Sequence, residues 1–246
     1  MIKQTSFRRV QLLKSFLLIR YMSFTTCTAA LTSSSSSKKI FCFGDSLTAG
    51  TSPPLTTDFP YGVHLQDTLR SSYPMHETAL VRWKGYPGWT ASALVQEGGL
   101  GGILDSIQAS VGSPADLAVI LAGTNDLAYE PNANDIFDSI TQLHGIAHSK
   151  GVRTLALGIP PSAWQMQSSS ARELAKEVNI KMESWAEESK DESSSNAMTK
   201  FVPFPITAYD KYGEFWSPDG LHFSPQGYLY IGEQLAKEVT KFIESS

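Results

Sequence analysis

The sequence predicts an α/β protein with a parallel sheet covered by helices on both faces, and three observations predict it. Short apolar runs of strand length alternate with longer segments of helical period. The runs are largely apolar, as strands buried on both faces are. The segments between them are long enough for the crossover that parallel strands require. In chain order, the strand candidates are Ile40 to Phe43, Ala79 to Trp83, Leu117 to Ala122, Thr154 to Leu157 and Phe201 to Phe204. Helical segments include Asp135 to Lys150, Ser169 to Lys190 and a closing helix, Ser224 to Ile243. The last has a clear start signal, with Ser224 at the N-cap and Pro225 at the first helical position. Pro203 to Phe223, rich in aromatics, Pro and Gly, reads as an ordered functional loop.

The charge distribution divides the chain in two. The whole of its 246 residues carries 20 Lys and Arg against 24 Asp and Glu, a net charge of −4. Residues 1–39 hold seven of the basic residues and no acid, so the body, 40–246, nets −11. A body of that sign lacks the Lys/Arg patches that nucleic acid or an anionic membrane surface requires. Its length suits one domain with a full apolar core. The basic, Ser/Thr-rich leader fits an organelle transit peptide better than a secretory signal. A secreted or cytoplasmic chain with a plain extension, or with Met22 as its first residue, stands as the alternative. No stretch of the leader approaches the roughly 20 apolar residues of a membrane span. Two cysteines, Cys27 and Cys42, make no disulfide framework and no metal-ligand spacing, and Cys42 reads as a small buried residue.

Parallel sheets bind ligands beyond the carboxyl ends of their strands, where four polar or Gly-rich clusters fall here. They are Gly44-Asp45-Ser46-Leu47, Gly85-Tyr86-Pro87-Gly88-Trp89-Thr90, Gly123-Thr124-Asn125-Asp126 and Asp219-Gly220-Leu221-His222. Ser46 is a weak nucleophile until a base takes its proton. Among five histidines, His222 alone lies in a turn-rich segment with a carboxylate close by. Residues three apart point to opposite faces of a strand, so Asp219 and His222 can meet only across a turn, which Pro218 and Gly220 favour. Gly88 can offer an unshielded backbone N–H. Asn125 can offer an amide donor to the same developing oxyanion.

On these residues the chain resembles the SGNH hydrolases, also called GDSL esterases or lipases. Phe43-Gly44-Asp45-Ser46-Leu47-Thr48-Ala49-Gly50 matches the first family block, Gly123-Thr124-Asn125-Asp126 the third, and Asp219-Gly220-Leu221-His222 the last. The resemblance implies a three-layer α/β/α sandwich with a mostly parallel, flavodoxin-like five-stranded sheet. It implies Ser46 as nucleophile, His222 as base and Asp219 as its orienter, with Gly88, Asn125 and the Ser46 N–H in the oxyanion hole. The second block departs from the family pattern, with Trp83 where Asn is usual, two residues before Gly85. No G-x-S-x-G occurs, which disfavours the ordinary α/β-hydrolase arrangement.

The expected activity is hydrolysis of a small-molecule carboxylic ester, of carboxylesterase, arylesterase or lysophospholipase type, with no metal or organic cofactor required. Acyl transfer by the same triad, or a carbohydrate- or lipid-binding module without catalysis, are the competing readings. Trp164, Phe215 and Trp216 are candidate walls of the substrate pocket. The absence of a lid signature favours soluble short-chain esters over emulsions. Asp45 and Asp126 read as local cap or turn formers. His144 and His148 have metal-ligand spacing but lack the Glu of H-E-x-x-H, and read as the margin of an amphipathic helix.

Overall fold

The computed structural model describes residues 37–74, 78–189 and 197–245, so the leader falls almost wholly outside the described residues. Five strands form one sheet: β1 (Lys39–Asp45), β2 (Leu80–Tyr86), β3 (Leu117–Leu121), β4 (Arg153–Leu157) and β5 (Thr199–Val202). Their order is β2-β1-β3-β4-β5 and every pairing is parallel. The strand order reverses between β1 and β3, the switch point at which such sheets open a crevice.

Side chains alternate across the sheet, and each face acquires its own helical layer. Ile40 and Cys42 of β1, with Leu117, Val119 and Leu121 of β3, pack beneath α2 (Tyr61–Ser72) and α8 (Pro225–Glu244). Phe41 and Phe43, with Ala118 and Ile120, face α3 (Ala91–Glu97), α4 (Leu100–Val111), α5 (Ala133–His148) and α7 (Ser169–Glu188). Two short helices, α1 (Ser46–Ala49) and α6 (Ala163–Gln167), sit at the carboxyl ends of β1 and β4. The result is an α/β/α sandwich. Cys42 is fully buried, and desolvation pushes its thiol up to about 12.

The elements match the sequence reading, with differences at their ends. α8 starts where expected: Pro225 opens it and the Ser224 hydroxyl accepts from the Gly227 N–H at 3.1 Å. α5 starts two residues earlier than its apolar period suggests, because the Asn132 side chain caps it by accepting from Asn134 N–H. β2 runs on past Trp83 through Lys84 and Gly85. It is an edge strand held by pairing with β1 rather than by apolar side chains. β5 is displaced toward the N-terminus, Thr199–Val202 instead of Phe201 to Phe204. Pro203 lacks the N–H that would extend the ladder, and Thr199 is anchored inside by its hydroxyl, 2.9 Å from that of Thr154.

His144 corrects an expectation. It lies in the core rather than at a helix margin, fully buried, with its ring edge-on to Trp185 at 5.2 Å. Desolvation pushes its pKa down to about 3, so it folds as the neutral imidazole. His148, one turn on, places Nε2 3.0 Å from both the Thr154 and Thr199 hydroxyls.

Candidate active site

β1 delivers Ser46 to the switch point, and the turn that follows is held from three sides. The Asp45 carboxylate caps α1 by accepting from Leu47 N–H at 2.9 Å. Gly50 closes the turn, with its N–H donating to the Ser46 carbonyl at 3.0 Å. On the β2 side, a Cβ at Gly85 would stand 2.2 Å from the Ala49 nitrogen, so only glycine lets α1 sit this close to the sheet. Asp45 itself is fully buried, and the Thr124 hydroxyl beside it favours its ionised form. Desolvation pushes this carboxyl up to about 7, against the Leu47 N–H, which favours the ionised form. The expected cap role of Asp45 fits this geometry.

His222 and Asp219 come from the tip of a tight loop after β5. An isolated antiparallel bridge pairs Trp216 with Phe223. Within it, Ser217 N–H donates to the His222 carbonyl at 2.9 Å and Gly220 N–H to the Ser217 carbonyl at 3.0 Å. The turn thus folds Asp219 back onto His222. Asp219 Oδ1 accepts from the Leu221 and His222 N–H groups, both at 3.0 Å, while Oδ2 lies 2.6 Å from His222 Nδ1. Partial burial pushes the Asp219 carboxyl up. The hydrogen bonds from the His222 ring and from the two backbone N–H groups outweigh it and hold the pKa below the usual carboxylate value. On its other side the imidazole places Nε2 2.9 Å from Ser46 Oγ. Ser46, His222 and Asp219 therefore form one hydrogen-bonded chain, joining residues 176 positions apart.

The loops after β2 and β3 are tied to each other beside this chain. Asn125 Nδ2 donates to the Trp89 carbonyl at 2.8 Å, which fixes the amide and leaves its second N–H for another acceptor. Asp126 accepts the Ala91 N–H with both carboxylate oxygens, each at 3.0 Å. Asp126 thus acts as a cap, as expected, but not a local one: it closes the first turn of α3 from the loop after β3. Desolvation pushes Asp126 up to about 6, and the Ala91 N–H limits the rise. Between Tyr86 and Trp89 the chain turns through Gly88 at φ +82°, with no heavy atom within 4 Å of the place a Cβ would occupy. Its backbone is open to a small molecule.

The three aromatics expected as pocket walls meet different surroundings. Trp164 on α6 is 41% exposed. Phe215 stacks on Tyr230 at 4.7 Å, and Trp216 is buried between Tyr209 and Phe223. The last two serve as packing beneath the Asp219–His222 loop. One connection has no signal in the sequence. The Ser52 and Ser217 hydroxyls lie 3.1 Å apart, both buried, and Ser217 Oγ donates to the Phe223 carbonyl at 3.0 Å. This bond ties the segment after the Ser46 turn to the loop that carries His222.

Comparison with known proteins identifies the family and the fold. The GDSL-like lipase/acylhydrolase family model matches residues 42–229, about three quarters of the chain, from the middle of β1 into α8. This chain belongs to that family. Solved structures share the GDSL/SGNH fold. A carbohydrate acetylesterase family member from Sinorhizobium meliloti is 19% identical, with a TM-score of 0.60, over 84% of this chain and 99% of that one. A family 3 carbohydrate esterase from Clostridium thermocellum is 18% identical, with a TM-score of 0.59, over 85% and 98%. A GDSL-like lipase from Bacteroides thetaiotaomicron is 19% identical, with a TM-score of 0.58, over 83% and 88%. Among curated proteins, none matches the chain significantly.

Proposed function

We propose that this GDSL-family chain is a serine esterase that hydrolyses small carboxylic esters through an acyl-enzyme. The observation that carries the reading is the continuous chain Ser46 Oγ, His222 Nε2, His222 Nδ1, Asp219 Oδ2, with links of 2.9 and 2.6 Å. In this reading Ser46 Oγ attacks the ester carbonyl carbon while His222 Nε2 takes the hydroxyl proton. Asp219, held ionised by its hydrogen bonds, keeps the imidazole in the tautomer with its proton on Nδ1 and stabilises the imidazolium. The carbonyl oxygen becomes an oxyanion, received by the N–H groups of Ser46 and Gly88 and by the Asn125 amide. As the intermediate collapses, the alcohol leaves with the proton from His222, and water activated by the same ring releases the acid.

Short acyl groups on a soluble alcohol fit best. Gly88 opens the site at the surface, and the names of two structural neighbours place them among carbohydrate esterases. The test is hydrolysis of p-nitrophenyl acetate together with labelling by a fluorophosphonate. Wild type should turn over the ester and carry the label on Ser46, while Ser46→Ala should do neither and keep its fold by circular dichroism. Turnover by the purified variant within tenfold of wild type would sink the assignment.

A further inference from the structure

A second concavity lies outside the site just described. It has a volume of about 590 Å³, and its wall contains none of Ser46, Gly88, Asn125, Asp219 or His222. β5 and the segments after β4 and β5 supply part of the wall and α7 the rest. Its interior is apolar, with Ile159, Phe201, Phe204 and Ile206 among the lining residues. Two large apolar side chains at its edge are left uncovered, Met166 at 59% exposure and Ile180 at 52%. Uncovered apolar surface that continues into an apolar cavity marks a binding site more often than a solvent face.

Charge decides what chemistry suits it. Arg172, Lys176 and Ile180 follow one another at four-residue spacing along α7, so they form one stripe, and all three line the cavity. Arg172 spends one N–H on the Gln165 carbonyl at 3.3 Å, which leaves most of its fork for another acceptor. Among the described residues, Lys176 has only a 4.0 Å pairing with Glu173, in which both side chains are two-thirds exposed. In a body of net charge −11, two cations on one lip of an apolar cavity set a polarity. Glu183, the lining acid, lies beyond Ile180 at the opposite end of the stripe. An anionic head therefore belongs at Arg172 and Lys176, and an apolar tail runs toward Ile180. Eight helical rises separate Arg172 from Ile180, a reach of roughly 12 Å.

We infer that this cavity binds a single-chain amphiphilic carboxylate, with the carboxylate on Arg172 and Lys176 and the chain lying along Ile180 against Phe201 and Ile206. The site is separate from Ser46 but not isolated from the loop behind it. Tyr209 is part of the wall, and its hydroxyl stands 3.0 Å from where a Gly220 Cβ would be. Ala163, two residues before Gln165, donates its N–H to the Gly220 carbonyl at 2.8 Å. The cavity wall therefore backs the Asp219–His222 turn.

Binding of decanoate below its micelle concentration, measured by titration calorimetry on the full chain, tests the inference. Decanoate should bind, decanol about tenfold more weakly, and acetate not detectably, with the gap between decanoate and decanol narrowing as salt rises. Replacing both Arg172→Ala and Lys176→Ala should abolish the preference for decanoate over decanol. Ile180→Trp, an exposed position, should narrow the cavity and weaken both ligands tenfold or more. Each variant should hydrolyse p-nitrophenyl acetate at the wild-type rate. Absence of decanoate binding, or affinities unchanged in both variants, would overturn the inference. So would binding to phosphatidylglycerol vesicles without binding of soluble decanoate, which would point to a lipid surface instead. These readouts need no turnover, so failure of the esterase reading would leave them interpretable.

Discussion

Asn125 donates one amide hydrogen to the Trp89 carbonyl, and that bond aims the other. If the free N–H meets the oxyanion, Asn125→Ala should lower kcat by about 10² to 10³ with little change in KM, as loss of one preorganised donor does. An unchanged kcat would exclude the role. Asp45, next to Ser46, makes a prediction of a different kind. Its folded pKa is raised from 3.8 to about 7 by desolvation, so across that window the folded chain binds more protons than the unfolded one. Stability contributed by this residue therefore falls as pH rises from about 4 to 7 and stays low above. Asp45→Asn keeps an oxygen for the Leu47 N–H and cannot ionise. It should unfold at nearly the wild-type temperature near pH 4 and at a higher one near pH 8, a gain on the order of a few kcal/mol at most. Thermal melts at both pH values check this, and a gain confined to low pH would contradict it.

Two loops separated in sequence by most of the chain meet through buried serines, and the site depends on their register. Ser52 lies just beyond α1, while Ser217 opens the turn that carries Asp219 and His222. Because Ser217 Oγ donates to the Phe223 carbonyl, the Ser52 hydroxyl is the donor between them. Ser217→Ala leaves that donor and that carbonyl buried without partners, at a cost of about 1 to 3 kcal/mol. It also frees the histidine loop to shift against Ser46, so kcat should drop about tenfold or more, since small misplacements in a site are costly. Urea unfolding and p-nitrophenyl acetate kinetics measure the two effects. Wild-type values for both would show that the bond carries no positional load. At this scale the sequence was legible where a signal is local. Ser224-Pro225 marked the start of α8, and Pro218 with Gly220 marked the turn. It was silent on Asp126 with Ala91 and on Ser52 with Ser217, because neither pair has spacing that any helix or strand period would relate.

For the whole molecule, the boundary between leader and body has consequences for stability. β1 begins at Lys39, and Lys38 already takes part: its carbonyl accepts from Leu80 N–H at 2.8 Å. Lys39 N–H donates to Asp116 Oδ2 at 2.7 Å and the Lys39 carbonyl accepts from Asp116 N–H at 2.8 Å. A chain starting at Ile40 strands these groups and should melt roughly 2 to 8 °C below one starting at Ser37. Differential scanning calorimetry of the two chains decides, and equal melting temperatures would show that the pairing at Lys38 and Lys39 adds nothing. The sequence by itself determined the fold class, the alternation of elements and the four clusters at the carboxyl edge. Apolar period, caps and glycine turns are written in neighbouring residues, and parallel strands send every strand end to the same edge. Only the tertiary structure decided that His144 is core, that Phe215 and Trp216 pack inward, and that Nε2 of His222 meets Ser46 across 176 positions. Those outcomes depend on which surfaces the sheet brings together, and distance in space between remote residues is not encoded in any local pattern.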